Sequence, residues 1–227
     1  MNVIRFADSC SSDELYAYLS QHRPDLCILE GGEEEQAERD EDDFVLLDDG
    51  EGGGGEEGEE EEESPKHGSV LFFLQLSSEL PPRTVGHSWK LAYSTSKHGA
   101  SLKTLYRKLS VSDSPVLLII RDDNQQVFGG FLSHPLRPSD TFYGTGETFL
   151  FLLRPRFKCF HWTGENSFFI KGDLDSFAIG GGSGHFGLWL DETLYLGRSS
   201  PCYTFNNCSL SETSDFRVLE LEAWTFW

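Results

Sequence analysis

The chain has 227 residues and a formal net charge of −20 at pH 7, but this charge is unevenly distributed. Residues 1–65 hold 23 of the 38 acidic residues and three of the 18 Lys and Arg, so residues 66–227 hold 15 of each. Because an acidic region repels phosphates and the remainder has no basic run beyond Arg107-Lys108, nucleic acid is not expected as a partner. The composition predicts an acidic tail over residues 1–65 and a neutral body over residues 68–227.

The acidic tail has too few apolar residues per charge to offset the entropy lost on ordering, so it is predicted to be mostly disordered. Ser11 with Glu14 three positions later fits a capping box and predicts a short helix over residues 12–22. A helix of about ten residues is marginal in water. The composition over 30–63 is mainly Glu, Asp and Gly, which is typical of a self-repelling linker.

One apolar island, Phe44-Val45-Leu46-Leu47, lies between acidic residues of the tail. It resembles the short motif that binds autophagy-type ubiquitin-like proteins, in which a peptide adds a strand to a sheet edge. Phe44 and Leu47 would then enter two pockets of the partner. Four-residue patterns also arise by chance, and the alternative is an apolar patch without a partner.

The body is long enough to bury roughly 70% of its unfolded surface in its own core. The apolar residues of Val70–Leu80 recur with a helical period and stop at Pro81-Pro82, which predicts a first helix. Trp89–Thr95 predicts a strand. Residues 102–109 predict a second helix, which Ser101 caps and whose apolar residues form one face.

The remainder of the body predicts strands. Val116–Arg121 and Val127–Ser133 are joined by Asp122-Asp123-Asn124-Gln125, which has the residues of a hairpin turn. Further strands are predicted at 148–153, 157–162, 167–171, 176–179, 186–190, 194–197 and 216–226. Many short strands after two helices predict an α+β fold: a sandwich of two antiparallel β-sheets flanked by short helices.

The five cysteines are odd in number and form no CxxC pair, and MNVIRFADSC is not a signal peptide. These features predict reduced thiols in a cytoplasmic protein that is not secreted, with the nucleus and the cytosolic face of acidic organelles as alternatives. The longest apolar runs are far too short for a membrane span, so direct membrane insertion is not expected.

Motifs for chemistry are weak. Gly182, Gly184 and Gly187 fit the spacing of a dinucleotide fingerprint, but a strand pattern follows where the phosphates would need a helix. The histidines are scattered without metal-ligand spacing. No combination of nucleophile, general acid and orienting group is found, so the sequence predicts a protein that is not an enzyme and has no cofactor or metal.

Three body cysteines, Cys159, Cys202 and Cys208, are the redox candidates. Cys159 and His161 are two positions apart, so on a strand both side chains point to one face. They predict either a thiol–imidazole pair or a core cysteine beside a rim histidine.

Glycine-rich turns precede aromatic strands at three places in the body. Their residues are Gly144, Gly146 and Glu147; Gly164, Glu165 and Asn166; and Gly184 and Gly187. Glycine allows tight turns and close backbone approach. Each acid either locks its turn by accepting backbone N–H bonds or belongs to a carboxylate pair.

In combination these motifs resemble the TLDc domain of oxidation-resistance proteins and of the C-terminus of nuclear receptor coactivator seven. The matching segments are Trp89–Thr95, Ser101–Arg107, Pro115–Leu118, Phe128-Gly129, Phe142–Leu150, Trp162–Phe169, Phe186–Asp191, Thr204–Asn207 and Leu219–Trp224. The resemblance implies a two-sheet sandwich flanked by helices, a role in resistance to oxidative stress, and binding to subunits of the vacuolar proton pump. We therefore expect a non-catalytic interaction module. The alternatives are a thiol-dependent oxidant scavenger or enzyme and an adaptor for ubiquitin-like proteins.

Overall fold

The computed structural model describes residues 2–4, 26–28 and 75–227. The predicted helix at 12–22, the Phe44–Leu47 motif and most of the tail that is predicted to be disordered lie outside the described residues. Strands β1 (Asn2–Ile4) and β2 (Leu26–Ile28) pair in parallel, which the sequence did not predict. None of the helices in the described residues has the length and apolar character needed to cross a membrane.

Four short helical segments precede the main sheet strands or lie between them. Residues 75–79 are helical, which confirms the described part of the predicted first helix, and the 3-10 turn Pro82–Thr84 follows. Helix α1 (Thr95–His98) was not predicted, and it begins where the Ser94 hydroxyl accepts a hydrogen bond from the Lys97 N–H. Helix α2 (Leu102–Leu109) has the predicted cap, because Ser101 accepts from the Thr104 N–H.

Ten strands make up the body. They are β3 (Trp89–Ser94), β4 (Val116–Asp122), β5 (Val127–Leu132), β6 (Phe149–Arg154), β7 (Lys158–Phe160), β8 (Ile170–Gly172), β9 (Ser176–Ile179), β10 (Leu188–Asp191), β11 (Leu196–Arg198) and β12 (Asp215–Phe226). Their hydrogen-bonded order is β7-β6-β5-β4-β12-β11-β10-β9-β8, and β3 also pairs with β12. All pairs in the body are antiparallel.

The long strand β12 connects the two halves of this path. Its first residues pair with β11, and the residues from Val218 onward pair with β4 and β3. The prediction of a mostly antiparallel β fold with a few short helices is confirmed. The division into two stacked sheets stays a prediction, since the strands form one continuous hydrogen-bonded path through β12.

Strands β4 to β7 contribute to two apolar clusters, one on each face of the sheet, because alternate side chains of a strand point to opposite sides. Val116, Leu118 and Ile120 of β4 belong to the larger apolar cluster, which also contains residues of α2 and of β8, β9, β10 and β12. Leu117 belongs to a second cluster with Phe149 and Phe151. The helical segment 75–79 contributes Leu76 to this cluster, and the adjacent Leu80 also belongs to it. This second cluster places the helical segment beside the edge strand β7.

Candidate interaction surface

The turn at 144–148 is held by hydroxyl groups. The Ser133 hydroxyl accepts from the Thr145 N–H at 2.9 Å and from the Thr148 hydroxyl at 3.1 Å. Gly144 has a positive φ of 101°, and a Cβ there would lie 3.1 Å from both Ser133 Oγ and Ile170 Cδ1. The positive φ therefore favours glycine, and a Cβ would also press on these two side chains.

The carboxylate of Glu147 does not lock its turn through backbone N–H groups. It accepts from the Arg83 guanidinium, with Nε and Oε2 2.8 Å apart, and Arg83 also donates to the Ser133 carbonyl at 2.7 Å. Arg83 thus ties the 3-10 turn to the loop after β5. Because both side chains are about 40% exposed, this ion pair contributes little to stability.

The turn at 163–166 is held by Asn166 and Thr204, residues 38 positions apart. Asn166 Oδ1 accepts from the Phe168 N–H at 3.0 Å and from the Thr204 hydroxyl at 2.8 Å. The Thr204 hydroxyl in turn accepts from the Gly181 N–H at 2.9 Å. We call Asn166, Thr204 and Gly181 the turn network; it joins three segments of the chain. Thr204 and Gly181 were not predicted as site residues.

Glu165 stands apart from this network. Among the described residues, its carboxylate makes no ion pair or hydrogen bond, whereas its N–H donates to the Thr163 hydroxyl at 3.2 Å. The turn lock that the sequence assigned to the acid is made by the neighbouring Asn166 instead. Glu147 is bound to Arg83, so the two carboxylates do not form a hydrogen-bonded pair with each other.

Exposed aromatic rings surround the turn network. Trp162, Phe168, Phe186 and Tyr203 are 40–57% exposed. Half-buried Phe142 contacts Phe168 at 4.9 Å and Phe186 at 6.5 Å between ring centroids. We call Phe142, Trp162, Phe168, Phe186 and Tyr203 the aromatic surface. Grouped exposed aromatics are typical of protein interfaces.

A hydrogen bond to the turn network and close contacts with glycines hold two of these rings, Trp162 and Tyr203. The indole Nε1 of Trp162 donates to the Asn166 carbonyl at 2.7 Å. A Cβ at Gly146 would meet the Trp162 ring at 2.4 Å, and one at Gly182 would meet the Tyr203 side chain at 3.0 Å. The rings therefore lie directly against glycine backbone, which explains why glycines and aromatics alternate in this part of the sequence.

A cavity of about 400 Å³ adjoins the aromatic surface at Phe186 and is also lined by His185, Trp189 and Leu196. Gly184, which has a positive φ of 78°, also lines it. Gly187 leads into strand β10, so no helix follows the glycines 182, 184 and 187. A dinucleotide would have no helix N-terminus for its phosphates here.

The three redox candidates have different surroundings. Cys208 is exposed, whereas Cys202 is buried with its Sγ 3.2 Å from Asn207 Oδ1. Burial raises the pKa of Cys202. Cys159 is half-buried, and burial together with the nearby Glu79 carboxylate raises its pKa to about 12. A thiol with a raised pKa is a weak nucleophile at neutral pH, because little thiolate forms.

Cys159 and His161 lie on one side of the edge strand, as the spacing predicted, but a third residue joins them. His161 Nε2 is 3.0 Å from Glu79 Oε2, 82 positions earlier in the chain. One ligand atom from each of Glu79, Cys159 and His161 lies within 4.8 Å of the other two. We call these residues the Glu–Cys–His cluster. No sequence spacing predicted Glu79, because packing of the helical segment brings it to the strand.

The sequence of the body matches those of known proteins. A family model for the TLDc domain matches residues 69–227. Oxidation resistance protein 1 of Xenopus tropicalis is 59% identical over 152 residues, which cover 67% of this chain and 18% of that protein. Nuclear receptor coactivator 7 of Mus musculus is also 59% identical over 152 residues, covering 67% of this chain and 16% of that protein. The chain thus spans less than a fifth of the length of these relatives.

Proposed function

The chain belongs to the TLDc domain family, and we propose that it is a non-catalytic interaction module that acts in resistance to oxidative stress. The names of its oxidation-resistance relatives support the cellular role. Its partner, on this proposal, is the vacuolar proton pump, whose assembly or activity it modulates at the cytosolic face of acidic organelles. The observation that carries the proposal is the aromatic surface.

Four exposed aromatic side chains on a hydrogen-bonded frame favour a binding role. An exposed aromatic ring contributes most when a partner covers it. The hydrogen bond from Trp162 to the Asn166 carbonyl already limits the side-chain entropy that binding would cost at this ring. Such pre-organised aromatic side chains are the residues that most often dominate interface energies.

The chemistry of the described residues supports a non-catalytic role. The Glu–Cys–His cluster is the arrangement most similar to a nucleophile with a base, but the pKa of its thiol is raised rather than lowered. A thiol catalyst needs the opposite shift.

The test is co-purification of pump subunits with the full chain from cells. We expect Phe168→Ala combined with Tyr203→Ala to reduce recovery of pump subunits roughly tenfold or more, since both rings are exposed interface candidates. The matched control is Val111→Ala with Leu174→Ala, because both are exposed apolar residues outside the aromatic surface. Equal recovery with both double variants, each folded, would contradict this proposal.

The contribution of the tail is separated by a second comparison, between residues 66–227 and the full chain. Loss of pump recovery without the tail would assign binding to residues 1–65 rather than to the aromatic surface.

If the tail instead acts as an adaptor for ubiquitin-like proteins, Phe44→Ala with Leu47→Ala will abolish recovery of those proteins. Unchanged recovery would contradict the adaptor hypothesis.

A thiol-dependent oxidant scavenger is the second candidate, and the exposure of Cys208 favours it. Under our proposal, a variant with Ser at 159, 202 and 208 keeps its protection of cells against peroxide. Loss of protection with the fold preserved would favour the scavenger instead.

A further inference from the structure

We propose that Glu79, Cys159 and His161 form a binding site for a zinc-type divalent cation at the edge strand β7. The site lies outside the aromatic surface and is independent of the function proposed above. It combines a thiol, an imidazole and a carboxylate, which are the three side-chain types that zinc sites use. Three protein ligands leave a fourth position for water or another ligand.

The distances suit such an ion. Zinc lies about 2.0–2.3 Å from its ligand atoms, which places neighbouring ligand atoms of a tetrahedron about 3.3–3.6 Å apart. The three candidate atoms already lie within 4.8 Å of one another, and His161 Nε2 is 3.0 Å from Glu79 Oε2. Side-chain rotations that move the ligand atoms by about 1 Å would bring them to the separations of a zinc site. Such rotations are open to His161, because its side chain is exposed.

The fold fixes where the three side chains begin. Phe160 of β7 points into the larger apolar cluster, so its neighbours Cys159 and His161 point to the opposite face. On that face Cys159 packs against the second cluster. The ring centroids of Phe149 and His161 are 5.2 Å apart. Fully buried Leu76 anchors the helical segment there and presents Glu79 to the strand.

The donor set selects the class of ion. Magnesium and calcium prefer oxygen ligands only, whereas a thiolate with an imidazole favours zinc and related softer metals. Without a cation, the cluster reduces to a Glu–His pair with 35% and 55% exposed side chains beside a thiol, and such a pair contributes little to stability. An ion would instead tie the helical segment to the sheet edge.

Cobalt(II) is the probe, because sulfur-to-cobalt charge-transfer absorption reports a thiolate ligand directly. The full chain is titrated in excess Mg²⁺, which occupies the carboxylates of the tail. We expect one Co²⁺ per chain with this absorption band, displacement by Zn²⁺, and loss of the band in Cys159→Ser. His161→Gln is expected to weaken binding at least tenfold, in line with the loss of one ligand of three.

The matched controls are Cys208→Ser and His185→Gln, which remove an exposed thiol and an exposed imidazole elsewhere. Both should keep the band and the affinity within about twofold. At a given concentration, Zn²⁺ should also raise the thermal unfolding midpoint of the wild type more than that of His161→Gln, because the stabilisation by a bound ion falls as its affinity falls.

The proposal is overturned if the wild type shows no saturable band. It is equally overturned if the band survives in folded Cys159→Ser or disappears in Cys208→Ser. Should Cys159→Ser fail to fold, the exposed His161 decides: unchanged affinity in His161→Gln would also overturn the site.

Discussion

The turn network and the Glu–Cys–His cluster both join distant parts of the chain through polar side chains, but they differ in completeness. In the turn network, the buried Thr204 hydroxyl and the Asn166 amide each have partners within the chain. In the Glu–Cys–His cluster, three metal-ligand groups converge while the only hydrogen bond among them is the Glu79–His161 pair. A closed network stabilises a frame, whereas an open cluster of donors is suited to receive a ligand.

The largest expected effect is on cysteine reactivity. The pKa of Cys159 is raised from 9.0 to about 12, so its thiolate fraction at pH 8 is about a thousandfold below that of an ordinary thiol. Iodoacetamide at pH 8, followed by peptide mass mapping, should modify exposed Cys208 well before Cys159. Because the pKa is raised, modification of Cys159 should speed up about tenfold for each pH unit between 8 and 10. Fast modification of Cys159 at pH 8 would contradict its assigned surroundings.

The next effect concerns added volume at Gly187, the residue before strand β10. A Cβ at Gly187 would lie 2.6 Å from Leu150 Cδ1 and 3.0 Å from the Ile179 carbonyl oxygen. We expect Gly187→Ala to lower the free energy of unfolding by about 3 kcal/mol in denaturant titrations.

The matched control is Gly184→Ala, whose Cβ would meet nothing within 4 Å. Its cost comes only from the positive φ of 78° and should be about 1 kcal/mol. The φ of Gly187 is not positive, so its cost is expected from packing alone. Equal destabilisation by the two variants would therefore contradict the expected packing cost at Gly187.

The smallest effect separates the closed network from the open cluster most directly. Thr204→Val keeps the shape but removes the hydroxyl, leaving Asn166 Oδ1 and the Gly181 N–H each short of a partner. We expect a loss of about 2 kcal/mol in the free energy of unfolding.

The corresponding change in the open cluster, His161→Gln in metal-free protein, should cost less than about 1 kcal/mol, because the pair it breaks is exposed. Thr193→Val is a second control, since the Thr193 hydroxyl donates a hydrogen bond to the Asp191 carboxylate at an exposed position. If His161→Gln destabilises the metal-free protein as much as Thr204→Val, the cluster is a structural pair and the contrast between the regions fails.

Much of the fold could be predicted because its signals are local. The buried residues Leu102, Leu105, Tyr106 and Leu109 recur at helical spacing behind the Ser101 cap. In the hairpin between β4 and β5, the Asp122 carboxylate accepts from the N–H groups of Asn124 and Gln126, as expected for an acid in a turn. Strand ends were less well predicted: β8 begins at Ile170 rather than 167, since Asn166 binds the Phe168 N–H outside the sheet.

The candidate sites were predicted only in part. Glycine positions emerged from the sequence because a positive φ or a close contact leaves few other residues, as at Gly144. The partners of the turn acids did not, because Arg83 reaches Glu147 across 64 positions. Thr204 carried no signal of its own: a threonine in a loop acquires its role only when Asn166 and Gly181 lie beside it.

By itself, the sequence determined that an acidic segment precedes a neutral body of short helices and antiparallel strands. It did so because charge, capping and the two-residue period of strands are properties of neighbouring residues. Only the tertiary structure decided which polar groups meet. Docking of the helical segment 75–79 over Phe149 and Phe151 brings Glu79 to Cys159 and His161, and pairing of distant loops brings Thr204 to Asn166. Such meetings depend on how apolar surfaces pack across the whole body, which no spacing within the chain records.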